Sequence, residues 1–300
     1  MSDEVDSRWA FERYQAIRHR LPDAKFPDAS SHHARLIDVA DGYDVFIFDS
    51  FGVLNVGETA VADAPACIAA LRKMGKRVFV LTNSASLPSA AYKGYYQQFG
   101  FDFDDAEILT SRAILLRALP EYAAAMRWAV VAPEHAGVDE LPCHTQPLDE
   151  AALVEADGFI LLSTRGWTAA RQSALMDALR QRQRPLLVGN PDLVAPRGDG
   201  FSLQPGAFAH DLADALDITP QFFGKPYANA FDLVLGALPD EIDRTRVLMI
   251  GDTLHTDILG GRACGFATAL VTDHGVMRDM DVQRCIDISG IRPDHIVRTL

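Results

Sequence analysis

Three short apolar runs in this chain stop at residues suited to phosphate or metal chemistry. Val45-Phe46-Ile47-Phe48 stops at Asp49, the run 77–81 stops at Thr82-Asn83-Ser84, and the run 247–250 stops at Gly251-Asp252. Two carboxylates brought together repel each other, and a hard dication between them relieves the repulsion. Mg²⁺ takes about six oxygens, commonly from one or two carboxylates with substrate phosphate and water. Asp49 and Asp252 suit that role, and the backbone carbonyl of Phe51 would add a third protein oxygen. Asp257, one helical turn past Asp252, would reach the ion through water or orient Asp252 from behind. A phosphoryl group on such an ion still carries charge to be compensated. The Thr82 hydroxyl, the Asn83 amide and the ammonium of Lys225, set between Gly224 and Pro226, would do this. Singly, each residue has a blander account: an Asp or Thr-Asn after a strand shapes a turn, and a lysine between Gly and Pro lies on the surface. The chemical reading rests on all of them occurring in this order.

The runs that carry these residues are β-branched or aromatic and do not alternate with polar residues. That pattern suits strands buried on both faces of a parallel sheet. Helices are expected over 63–74 and 88–99, closed by Gly75 and Gly100. Further strands are expected over 128–132, 158–162, 185–188 and 267–272, and further helices over 168–181, 206–216 and 258–264. Strands alternating with helices imply a doubly wound α/β fold, in which ligands sit beyond the carboxyl ends of the strands. Phe11, Tyr14, Ile17 and Leu21 are spaced for an amphipathic helix over 7–21, laid on the core or on a second subunit. Residues 22–34 read as a loop.

The bulk numbers narrow the function class. A chain of 300 residues holds two domains of ordinary size. A formal net charge of −13 argues against nucleic acid or an anionic membrane as partner, though a local site can still be positive. No apolar run is long enough to span a bilayer, and residues 1–13 lack the apolar stretch of a signal peptide. The cysteines Cys67, Cys143, Cys264 and Cys285 form no CxxC pair or zinc spacing. They read as reduced thiols of a cytoplasmic protein.

Taken together, these motifs resemble those of the haloacid dehalogenase superfamily, which consists mostly of phosphatases. Within it they resemble the class IIA branch, where an α/β cap is inserted between the second and third motifs. The residues that carry the resemblance are Phe46-Ile-Phe-Asp49-Ser-Phe-Gly-Val-Leu54, Val80-Leu-Thr82-Asn83, Gly224-Lys225-Pro226, and Gly251-Asp252 with Asp257 and the run on to Gly265. Ile108-Leu-Thr-Ser111 and Gly189-Asn-Pro-Asp192, followed by Pro205-Gly206, echo the family's passages into and out of the cap. The resemblance implies a Rossmann-like core over 41–111 and 201–300, a smaller α/β cap over 112–200 and an N-terminal helical extension over 1–40. It also implies a Mg²⁺-dependent phosphohydrolase acting on a small phosphorylated metabolite. Asp49 would attack phosphorus and become an aspartyl-phosphate, Lys225 would bridge Asp49 and the phosphate, and Thr82 and Asn83 would hold the phosphoryl group.

One position departs from the family pattern. Family phosphatases usually carry an acid–base Asp two residues after the nucleophile, and here that residue is Phe51, which transfers no proton. Four accounts follow: a substitute acid such as His255, a substrate with a good leaving group, a phospholigand-binding protein with weak or no turnover, or a metal-free dehalogenase. Asp252 and Asp257 weigh against the last, because carboxylates beside a nucleophilic Asp raise its pKa unless a cation is present. In the cap, Arg165 is expected to meet a second anionic group, Trp167 to stack on a sugar or aryl face, and Asn190 and Asp192 to touch substrate or shape the return turn. The cap and the N-terminal helix are the expected surfaces of a homodimer.

Overall fold

A computed structural model describes residues 5–198, 200–239 and 241–300. Its larger sheet has seven strands, all parallel. In spatial order they are Ser31–Arg35, His295–Thr299, Ala267–Val271, Val247–Gly251, Val45–Phe48, Arg77–Thr82 and Ile108–Thr110. The apolar runs are central because both of their faces are covered. Phe46, Phe48, Val80 and Ile250 pack on one side with Leu71 and Tyr96, while Val45, Ile47, Leu81 and Met249 pack on the other with Leu115 and Phe231. Each fully buried side chain of this kind is worth about 1.5–3 kcal/mol.

Register decides where the chemistry falls. Phe48 stands opposite Ile250 on one neighbour and Val80 on the other. The next residues of all three strands therefore emerge at one edge, bringing Asp49, Thr82 and Asp252 to a common site.

A second parallel sheet of five strands runs in the order Gln221–Phe222, Leu186–Val188, Gly158–Leu161, Arg127–Val131 and His144–Pro147. The helix Pro205–Ala215 places Ala209 and Leu212 in the cluster that covers this sheet. The return expected at residue 201 thus comes later, since the second sheet takes in Gln221–Phe222. A two-residue strand carries no periodicity that a sequence reading could find. Between the two sheets a hairpin, Val194–Arg197 with Gly200–Leu203, was not expected either.

At the N-terminus the helix covers Ser7–Ala16 and is capped by the Asp6 side chain, followed by a 3-10 turn at Arg18–Arg20. Residues 1–4 of the expected extension lie outside the described residues. The expected loop over 22–34 contains the start of an edge strand, Ser31–Arg35, paired with the C-terminal strand. Apart from Ala34 its residues are polar, and most are exposed, as an unprotected sheet edge requires, so no hydrophobic pattern announced it. Among the described residues no helix is long and apolar enough to cross a membrane.

Candidate active site

Asp49 follows the central strand directly, and its backbone N–H donates to the Ile250 carbonyl at 2.8 Å, which pins it to the neighbouring strand end. Asp252 emerges beside it. A π-helical turn, Leu254–Ile258, then swings Asp257 back over the same edge before the helix Leu259–Ala263 begins. Such wide turns are uncommon and recur at functional sites. Gly251 makes this return possible, because a Cβ there would lie 2.1 Å from the Cβ of Asp257. Gly52 is equally constrained: its φ is +91°, and a Cβ would lie 2.1 Å from Asp252 Oδ2.

Carboxylate oxygens of Asp49, Asp252 and Asp257 all lie within 4.8 Å of one another. Lys225 arrives from the far end of the second sheet. Its Nζ donates to Asp49 Oδ1 at 2.6 Å and to Asp257 Oδ1 at 2.7 Å, and the side chain is 1% exposed. The other oxygen of Asp257 accepts from the Thr253 backbone N–H, so this carboxylate holds Lys225 and the strand-end turn together. Asp252 accepts from the Thr253 hydroxyl and from the Val276 N–H.

Three carboxylates against one ammonium leave an excess of negative charge. At an effective dielectric near 20, each like-charge pair at this spacing costs roughly 3–4 kcal/mol. Burial pushes the Asp49 carboxyl well above its ordinary range, Lys225 opposes the rise, and Asp257, Asp252 and Asp192 add to it. Burial first, and then Asp257, pushes Asp252 up to about 7. Burial pulls the Lys225 ammonium down, but Asp257 and Asp49 outweigh that and hold it above its usual range. A divalent cation would remove the mismatch. The donor set, all oxygen and rich in carboxylate, is the kind that Mg²⁺ or a similar hard ion takes.

These raised carboxyls have a consequence for stability. The unfolded chain releases these protons around its ordinary carboxyl range, whereas the metal-free folded chain holds them to higher pH, Asp252 up to about 7. The folded state binds more protons in that window, so its stability falls as pH rises through it. His210 and His255, which burial pulls down to about 3, act in the opposite sense, losing stability as pH drops below about 6.5. The magnesium-dependent difference isolates the carboxyls. Thermal unfolding with chelator and with excess MgCl₂ should show a larger magnesium gain at about pH 7.5 than at about pH 5. Equal gains would contradict the carboxylate site.

The structure treats the remaining expected residues unevenly. Thr82 is buried at the site, its hydroxyl oxygen accepting from the Ser84 N–H. The Asn83 side chain is fully engaged: its amide donates to Asp192 Oδ1 at 2.7 Å and to the Lys225 carbonyl, and its oxygen accepts from the Lys225 N–H. It therefore staples the Lys225 segment to the core. Asn190 similarly closes the turn, bonding Gln204 and accepting from the Asp192 N–H. Trp167 does not face the site; its N–H bonds Gln172 and its ring packs edge-on against Phe208. His255 is excluded as a substitute acid. It is buried against the N-terminal helix, stacked on Tyr14 and bonded to Gln15, and held neutral there. A local sequence reading cannot see that this helix, some 240 residues earlier, covers the imidazole.

A cavity of about 890 Å³ opens beside the cluster, between the two sheets' loops. Phe51, Ser84, Tyr95 and Asp192 line it, with Arg165 and Arg197 on the side of the second sheet. Ser50, Asn55 and Tyr95 form a hydrogen-bonded chain that fixes the loop carrying Phe51. Burial pushes the Asp192 carboxyl up to about 6, with Lys225 and the Asn83 bond opposing. Arg197 was not singled out from the sequence, where nothing marks it among the other arginines.

Known proteins of similar sequence and fold place the chain in a family. A profile described as haloacid dehalogenase-like hydrolase matches residues 46–141, and a related hydrolase profile of the same superfamily matches residues 222–300. The chain is 30% identical to human glycerol-3-phosphate phosphatase over 303 residues, covering 91% of this chain and 92% of that protein. It is 23% identical to a 4-nitrophenylphosphatase of Schizosaccharomyces pombe, covering 87% of this chain and 93% of that one. The structure of a possible sugar phosphatase from Cytophaga hutchinsonii superposes with a TM-score of 0.78 at 24% identity, covering 90% of this chain and 98% of that one. The chain belongs to the haloacid dehalogenase-like hydrolases, in their class IIA branch, and is an enzyme of the phosphatase type found there.

Proposed function

We propose that the protein is a Mg²⁺-dependent phosphohydrolase that acts on a small phosphorylated metabolite through an aspartyl-phosphate at Asp49. The observation that carries this reading is the Lys225 ammonium, 2.6 Å from Asp49 and 2.7 Å from Asp257, with Asp252 completing the acidic cluster. Asp49, Asp252 and the Phe51 carbonyl would hold the ion, which when bound neutralises phosphoryl oxygens and aligns them with the nucleophile. Lys225 opposes the rise in the Asp49 pKa, orients the carboxylate at 2.6 Å, and offers its charge to the same phosphoryl group. The Thr82 hydroxyl and backbone N–H groups at the strand end hold the remaining oxygens. An Asp49 oxygen then forms the new bond to phosphorus, the bond to the leaving oxygen breaks, and water later hydrolyses the acyl phosphate. The relatives' names, glycerol-3-phosphate phosphatase and 4-nitrophenylphosphatase, fit a compact phosphate ester as substrate.

The test is hydrolysis of p-nitrophenyl phosphate and acetyl phosphate with MgCl₂ or with chelator. Turnover that requires the metal is expected on both. Turnover at full rate in chelator would overturn the assignment of the ion.

A further inference from the structure

The reaction above leaves one charge unaccounted for. When the ester bond breaks, its electron pair stays on the leaving oxygen. Two residues beyond the nucleophile, where the chain enters the cavity, stands Phe51, which can neither donate a proton nor solvate an oxyanion. Over its ring lies the guanidinium of Arg197, with Cζ 5.1 Å from the centroid. The arginine sits on the hairpin Val194–Leu203 and is braced there by its Nε, which donates to the Ser202 hydroxyl at 3.0 Å. Ser202 is in turn held by Gln204. Phe51 and Arg197 both line the cavity, and the side-chain hydrogen bond that holds Arg197 is the one to the Ser202 hydroxyl rather than to a carboxylate. The other charged groups on the cavity wall are Arg165, Glu58, Asp192 and, when protonated, His135. An aromatic face is a favourable seat for a guanidinium, and it leaves the edge N–H groups free to bond elsewhere.

We infer that Arg197, seated on Phe51, is a catalytic residue that meets the negative charge on the leaving oxygen, and that the substrates are phosphate esters or anhydrides whose leaving group is itself acidic. This rests on the phosphohydrolase reading. Asp49 attacks phosphorus, the P–O bond breaks, and the electron pair stays on the leaving oxygen as an aryloxide, enolate or carboxylate paired with the guanidinium. Protonation follows from water. A guanidinium stays charged throughout the working pH range, so it stabilises charge but donates no proton. Phosphoryl transfer is loose, with much charge on the leaving group, and a simple alkoxide is poorly served by such a site. Aryl, enol and acyl phosphates are well served.

The experiment is a series of aryl phosphates of graded leaving-group acidity, from 2,4-dinitrophenyl to phenyl, together with glycerol 3-phosphate, assayed with MgCl₂. In the unmodified enzyme kcat/KM should fall steeply as the leaving group becomes less acidic. Arg197→Gln should steepen the dependence further, lowering kcat/KM for phenyl phosphate by about 10²-fold while the dinitrophenyl ester is nearly unchanged. Arg197→Lys should recover part of the loss. Phe51→Asp, which restores a proton donor, should flatten the dependence. A uniform loss across the series in Arg197→Gln, or a shallow dependence in the unmodified enzyme, would overturn the inference while leaving the phosphohydrolase reading intact. Failure to hydrolyse any ester would overturn both.

Discussion

Asp49→Asn should abolish turnover while leaving the fold at least as stable as before. The amide cannot attack phosphorus, and loss of a covalent nucleophile costs on the order of 10⁴-fold or more in kcat. The stability effect has the opposite sign. Asp49 sits in a buried cluster whose carboxylates exceed their counter-charge, so its own carboxyl is pushed well up. Replacing it by a neutral isostere removes two like-charge contacts, and the amide oxygen still accepts from Lys225. The metal-free variant should therefore unfold at an equal or higher temperature, a trade between stability and activity common at active sites. Its gain on adding MgCl₂ should shrink, because one ligand is weakened. Calorimetry and a p-nitrophenyl phosphate assay on the same preparation check both halves; retained activity would remove Asp49 from the chemistry.

Lys225→Met should strongly destabilise the folded state. The side chain is 1% exposed and donates to two carboxylates that have no other cationic partner among the described residues. Methionine fills a similar volume but leaves both carboxylates buried without compensation. Breaking a buried ion pair from one side costs about 3–5 kcal/mol. At about 2–4 °C per kcal/mol, this lowers Tm by roughly 6–20 °C. Part of the loss should return on adding MgCl₂, which supplies positive charge to the same cluster. A dication present at about 100 times its Kd restores about 2.7 kcal/mol. Activity should not return with it, since the Lys225 charge on the phosphoryl group is gone. A variant as stable as the parent in chelator would mean that the carboxylates are protonated there and that Lys225 carries little of the balance.

The two substitutions thus move stability in opposite directions while both silence the enzyme. A site that was merely a buried structural salt bridge would lose stability in both.

How far the sequence alone leads depends on whether a signal is local. The central strands are legible because Val45–Phe48, Arg77–Thr82 and Val247–Gly251 are buried on both faces and their polar end residues are abrupt. Asp49, Thr82 and Asp252 stand out for that reason, and register brings them to one edge; Lys225 stands out by its place between Gly224 and Pro226, and Asp257 by its spacing from Asp252. The edge strand Ser31–Arg35 was missed because exposed polar residues form it through pairing with residues some 264 positions later. The return to the first sheet was placed too early because Gln221–Phe222 is a strand only by virtue of its neighbour. His255 looked available because it lies three residues after Asp252, yet Tyr14 and Gln15 of the N-terminal helix close over it. The bonds by which Asn83 ties Asp192 and Lys225 to the strand end are invisible without the fold. Arg197 on Phe51 is likewise a contact between residues 146 positions apart, which only tertiary packing creates.

The most direct test of the account is a crystal soaked with Mn²⁺ in place of Mg²⁺ and measured for anomalous scattering. A single peak is expected within about 2.0–2.3 Å of carboxylate oxygens of both Asp49 and Asp252. Lys225 should remain bonded to Asp257. If no peak appears there at saturating Mn²⁺, with the Lys225 ammonium as the cluster's sole cation, the metal-assisted mechanism is wrong.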